Sequence, residues 1–117
     1  MMTGVYVQEV ADLSVEVQRG GDDAIVRLTG DLDKLTAPLL RQVLSQLFAE
    51  GRVEVVIDAG KLDFCDSSGL WVLVEHQHRV SAHAGSLGLV GVHGVLRRVL
   101  DVTGLKAAFD RVALAEL

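Results

Sequence analysis

Residues 53–76, VEVVIDAGKLDFCDSSGLWVLVEH, change from one backbone period to another within a few letters. Val53 to Ala59 is β-branched with few charges, the composition of a central strand covered on both faces. From about Ser67 the apolar spacing becomes helical, with Leu70, Leu73, Val74, Gln77 and Val80 near one face. That helix is predicted to run to Ala84, where Gly85 stops it. Asp66, Ser67 and Ser68 lie at the joint, and each has a short side-chain oxygen able to accept from the free N–H groups of a first helical turn.

Upstream, Leu13, Val15 and Val17 alternate with polar residues, Gly20-Gly21-Asp22 makes a turn, and Ala24 to Thr29 resumes the alternation, so a hairpin opens the domain. Leu39, Leu40, Val43, Leu44, Leu47 and Phe48 form the stripe of a helix capped by Thr36, with Pro38 in its first turn and Gly51 after its end. Downstream, Ser86 to Val92 reads as a strand and Val95 to Val102 as a short helix ending near Gly104. Phe109 to Leu114 suits either a last strand or a helical tail.

This order predicts one α/β domain over residues 1–117, with a mixed sheet of four to five strands and three to four helices. The later strands should be parallel, because each helix returns the chain to the same starting edge. The loops after the strands then gather on one edge, and they hold Asp31-Leu32-Asp33, Asp63 to Ser68, and His93-Gly94.

Composition narrows the function. Sixteen acidic residues against 11 Lys and Arg give a net charge of -5, with no basic run to neutralise a row of phosphates, so nucleic acid is not an expected partner. No apolar run approaches the roughly 20 residues of a membrane helix, and the first twenty residues do not read as a secretory signal, so a soluble, cytoplasmic protein is expected. The single Cys65 has no disulfide partner and no second thiolate with which to hold zinc, and reads as a small buried filler. His76, His78 and His83 are spaced for solvated helix positions rather than for a metal site, so neither metal nor cofactor is expected.

The serine loop has two readings. One is a turn and a helix cap, which needs only one of Asp66, Ser67 and Ser68. The other is an accessible site, since a phosphoryl group on Ser67 would sit against the positive end of the helix dipole. A nucleophilic serine enzyme is a remote third: His78 lies eleven residues along one helix from Ser67, roughly 16 Å at 1.5 Å per residue. Only His93 would come near, and the chain has no GxSxG elbow.

Taken together, Leu28-Thr29-Gly30-Asp31-Leu32-Asp33, Val56-Ile57-Asp58 and Leu62-Asp63-Phe64-Cys65-Asp66-Ser67-Ser68-Gly69-Leu70 resemble the anti-sigma factor antagonists of the bacterial STAS-domain family. Residues 96–105, LRRVLDVTGL, look like that family's third-helix pattern, so the resemblance covers nearly the whole chain. It implies helices mainly on one side of the sheet and a protein that is not an enzyme. In the resembling scheme the protein captures an anti-sigma factor that is also a serine kinase and so frees a sigma factor. Phosphorylation of the serine after the Asp, here Ser67, ends the capture, and a PP2C-type phosphatase resets it. The resemblance implies a partner-binding set of Asp31, Asp33, Asp66, Ser67, Ser68 and Gly69, with Ser68 capping the helix while Ser67 faces the partner.

Two residues depart from the family's pattern, which often has Gly or another small residue where this chain has Trp71, and again where it has Glu75. At 100° per residue both share a helix face with Ser67 and His78, a quarter-turn from the apolar stripe, so they join the expected partner-binding set. Trp71 there is either a shoulder of the core or a binding anchor. A non-phosphorylated STAS scaffold, or an accessory to a ligand or lipid system, is the alternative function, and a serine hydrolase the remote one.

Overall fold

The apolar alternation of residues 13–17 sets the plan of the sheet. In the structure, a computed structural model describing residues 5–115, Leu13, Val15 and Val17 of β2 (Leu13–Arg19) are buried on one face. The ends of the predicted 1–117 domain, residues 1–4 and 116–117, lie outside the described residues. Antiparallel pairing sets Val15 opposite Leu28 and Val17 opposite Val26 of β3 (Asp23–Leu32). Parallel pairing continues the buried face from Val26 to Ile57 of β4 (Glu54–Cys65), and from Ile57 to Leu89 of β5 (Ser86–Val92). Directly opposite residues share a face, so one continuous apolar surface crosses four strands.

Among the described residues three α-helices supply the other layer: α1 (Ala37–Ala49), α2 (Ser67–Ser81) and α3 (Gly94–Thr103). Leu40, Leu44 and Leu47 of α1 and Leu73 and Val80 of α2 are fully buried, each worth about 1.5–3 kcal/mol of apolar transfer. The opposite face of the sheet is open. There Arg27 of β3 pairs with Glu16 of β2 at 3.1 Å and approaches Asp58 of β4 at 3.8 Å.

The described residues contain six strands in the order β1-β2-β3-β4-β5-β6, against the four to five predicted. One strand, at the N-terminal edge, goes beyond the expectation, and the strand at the other edge is the fifth that the sequence allowed. β1 (Val5–Val10) pairs only with β2, and β6 (Arg111–Leu114) runs parallel to β5, which makes Phe109 to Leu114 largely a strand and not a helical tail. β1 shows no sequence alternation because neither of its faces is buried: among the described residues Val5, Tyr6, Val7 and Val10 are all 41–60% exposed. The hairpin that opens the described chain is therefore β1–β2, ahead of the expected one.

β4 also differs from its expected reading. It runs on to Cys65, well past Ala59, because its second half pairs with the end of β3, Asp31 opposite Phe64 and Leu32 opposite Cys65. It is covered on one face only, with Val56 and Asp58 half-buried on the open side. α2 ends at Ser81, not Ala84, with a turn before Gly85.

Candidate functional site

The run-on of β3 and β4 places the two acidic loops side by side. Asp66 N–H donates to the Leu32 carbonyl at 3.1 Å, tying the start of α2 to the end of β3. The contact is close because residue 69 is glycine: a Cβ there would lie 2.4 Å from Leu32 Cγ and 3.0 Å from its carbonyl oxygen. Gly69 is thus a packing residue that brings the start of α2 against the β3–α1 loop.

Asp66, and not Ser68, caps α2. Its backbone is extended, and its Oδ1 accepts from Ser68 N–H at 2.8 Å and Gly69 N–H at 3.2 Å. An aspartate one residue ahead reaches those amides with a charged acceptor, so the Ser68 hydroxyl is not needed. Ser67 is then the first helical residue and is exposed, while Ser68 is half-buried.

Asp33 instead closes the turn that leads into α1. Its Oδ1 accepts from Leu35 N–H at 2.9 Å and Thr36 N–H at 3.1 Å. Thr36 occupies the N-cap position without capping through its side chain. It is fully buried, and its hydroxyl donates to the Asp31 carbonyl at 2.8 Å while accepting from Asp33 N–H at 2.8 Å. Asp31, Asp33 and Asp66 are therefore brought to the same sheet edge as Ser67, with the Asp66 carboxylate committed to the start of α2 and that of Asp33 to the turn before α1.

Trp71 stands clear of the core at 59% exposed, one helical turn from Ser67. Glu75, a further turn along, receives Arg41 of α1 at 3.3 Å, and Arg79 donates to Ser45 of α1 at 3.2 Å. These contacts set α1 and α2 parallel with residues 41 and 45 abreast of 75 and 79, which puts Trp71 at the level of Ala37. Leu35, just before α1, is 74% exposed, and Phe64, at the end of β4, is 42% exposed. Three apolar side chains are thus exposed on the elements that meet at this end of the sheet, two of them on loop or strand-end positions with no periodicity to mark them in the sequence.

His93 sits at the start of α3, its Nε2 buried without a partner, and no side-chain hydrogen bond among the described residues joins Ser67 to a histidine. The Cys65 thiol, pushed up to about 12 by burial and the neighbouring Asp66 charge, is no nucleophile. His76 departs from its expected solvated position: it is 4% exposed, facing the α1–α2 seam, while His78 and His83 are exposed. A short polar residue set between Glu75 and Gln77 hides its burial from periodicity, because the seam with α1 widens the covered arc of α2 beyond the apolar stripe.

No helix among the described residues is long and apolar enough to cross a membrane. No group of three His, Cys, Asp or Glu residues among them is placed to hold a metal ion.

Comparison with known proteins agrees with this architecture. A family profile described as "Mlab, STAS domain" matches residues 15–114. The chain is 33% identical over 105 residues to the anti-sigma-B factor antagonist of Bacillus subtilis, covering 90% of this chain and 95% of that one. Its fold superposes on the crystal structure of an anti-sigma factor antagonist from Mycobacterium paratuberculosis with a TM-score of 0.76 at 27% identity, over 86% of this chain and 85% of the other. The phosphorylated form of the Bacillus cell-fate determinant SpoIIAA shares the fold at a TM-score of 0.68 and 22% identity, over 83% and 89%. The continuous one-sided sheet, the Asp-capped serine helix and these matches together make the chain a member of the STAS-domain family, the one that includes the anti-sigma factor antagonists it resembles.

Proposed function

We propose that the protein is an anti-sigma factor antagonist that captures an anti-sigma serine kinase and releases a sigma factor, and that phosphorylation of Ser67 ends the capture. The observation that carries this reading is the division of labour at the start of α2. Asp66 caps the helix, which leaves the Ser67 hydroxyl exposed and without a structural task. Ser67 is then a phosphoacceptor, the protein is a substrate rather than a catalyst, and a PP2C-type phosphatase restores the free hydroxyl. The kinship with antagonists of 33% and 27% identity supports the same function class.

The partner-binding surface comprises Ser67, Ser68, Trp71 and Glu75 on α2 with the edge formed by Asp31, Asp33 and Asp66, and the buried Gly69 supports it from beneath and does not touch the partner. The cytoplasm, where a sigma factor works, is the place this reading requires. Incubation with ATP and the cognate anti-sigma kinase, followed by mass spectrometry, is expected to place a single phosphate on Ser67. Absence of phosphate there would favour the scaffold function.

Trp71 is the anchor of this surface, because a large aromatic left 59% exposed does little for the core and is the residue type most enriched among binding hot spots. Trp71→Ala is expected to weaken capture by about thirtyfold, the equivalent of about 2 kcal/mol. Its melting temperature should stay within a degree or two of the native value. Isothermal titration and thermal melts read the two quantities separately.

A further inference from the structure

The seam between α1 and α2 contains a buried imidazole that the capture surface does not use. His76 is 4% exposed, its Nε2 is buried without a hydrogen-bond partner, and it lines a cavity of about 10 Å³. The cavity is bordered by Arg41, Leu44 and Ser45 of α1 and by Val72, Glu75 and Arg79 of α2. A volume of that size holds no more than about one water, too little to hydrate an imidazolium.

The charges around it also oppose a second positive one. Two guanidinium groups, Arg41 and Arg79, border the cavity, and its one carboxylate, Glu75, is already engaged by Arg41 at 3.3 Å. Arg79 lies over the Phe48 ring of α1, 5.4 Å from its centroid, and bonds Ser45. His83 meets the edge of Phe48 at the far end of the seam. The buried residues of β4 and β5 under α2 are apolar or thiol and supply no counter-charge. Burial, with Arg79 adding to it, holds the His76 imidazole down to about 4.

We propose that this seam is an acid-released latch: with His76 neutral the two helices close on each other, and protonation of its imidazole parts them and shifts the face of α2 that carries Trp71 and Ser67. Protonation from solvent is favoured in the open seam, where the imidazole is hydrated and Glu75 is free to turn toward it. The sign follows from the lowered pKa. The closed form binds fewer protons than the open form, so the contribution of neutral His76 to closure is fully present above about 6.5 and is lost as pH falls toward about 4. Across that window the closed-to-open ratio falls about tenfold per pH unit. The latch stands independently of the capture reading, whereas any effect on capture rests on it.

The only tryptophan of the chain reports on the seam, since Trp71 lies one turn from Glu75 on the same row of α2. The full-length protein is titrated from pH 7.5 to 4 while Trp71 emission, far-ultraviolet circular dichroism and the histidine ring resonances are followed. The expected result is an emission shift that tracks the His76 ring while the dichroism holds, and that is lost in His76→Gln. The same emission curve in His76→Gln would overturn the latch. So would emission and dichroism collapsing together, or a His76 ring titrating near 6.5. Should His76→Gln fail to fold, the native titration still decides, because an emission change out of step with the His76 ring overturns the latch. Capture of the kinase that ignores pH while Trp71 follows it would leave the latch standing and remove capture from this face.

Discussion

Ser67→Glu is expected to lose at least tenfold in affinity for the proposed anti-sigma kinase partner while melting at the native temperature. A carboxylate, and more so a phosphate carrying about -1.5 to -2 charge, would ordinarily be welcome at a helix start. Here the two amides best placed to receive it, Ser68 N–H and Gly69 N–H, already donate to Asp66 at 2.8 and 3.2 Å. The new charge therefore meets the Asp66 carboxylate, with Asp33 on the adjoining loop, instead of free donors. A partner fitted to a neutral hydroxyl then faces an unpaired anion, and about 1.4 kcal/mol of mismatch is enough for tenfold. Stability is spared because Ser67 is exposed and the Asp66 cap remains. Ser67→Ala should retain capture and lose phosphorylation. Native affinity in Ser67→Glu, measured by isothermal titration, would count against the switch.

Gly30→Ala is expected to be the most damaging small change in the hairpin region, costing about 3 kcal/mol or more. Gly30 has φ +105, a region that side-chain-bearing residues rarely adopt, and a Cβ would lie 1.9 Å from the Asp12 carbonyl oxygen. That carbonyl accepts from Asp31 N–H at 2.9 Å, so the strands cannot part to admit the methyl group without losing the bond. The damage reaches the site, because Asp31 and Leu32 are the residues that lay the end of β3 against Phe64 and Cys65. Chemical denaturation should show the loss as a lowered midpoint with an unchanged slope. A midpoint within experimental error of the native one would mean that the β1–β2 turn at Asp12 can relax around the methyl group.

Period and punctuation carry much of the fold. The helical stripe of residues 39–48, the strand 86–92 and the change of period at Ser67 all appear in the structure close to their expected places, because each buries apolar residues against one surface and so must repeat with its own backbone period. The strand β1 was invisible to the same reasoning, since an edge strand exposed on both faces has no reason to alternate. The β-branched run 53–59 pointed to a strand covered on both faces, yet one face of β4 is open, because a half-exposed Val56 beside a partly buried Asp58 looks like a core pattern when read along one strand alone.

At the site, the sequence by itself determined that three cap-forming residues precede a helix, that Ser67 and Trp71 share a helix face, and that acidic residues gather at one end of the sheet. The first two follow from spacing along a single element and the third from the order of strands and helices. Only the tertiary structure decided which of the three caps the helix, where Trp71 points and which histidine is buried. The cap depends on the angle at which the chain leaves β4, which is set by Gly69 against Leu32 on a different strand. The exposure of Trp71 and the burial of His76 depend on where α1 lies beside α2. Those relations join residues 30 or more positions apart, and local periodicity holds no information about them.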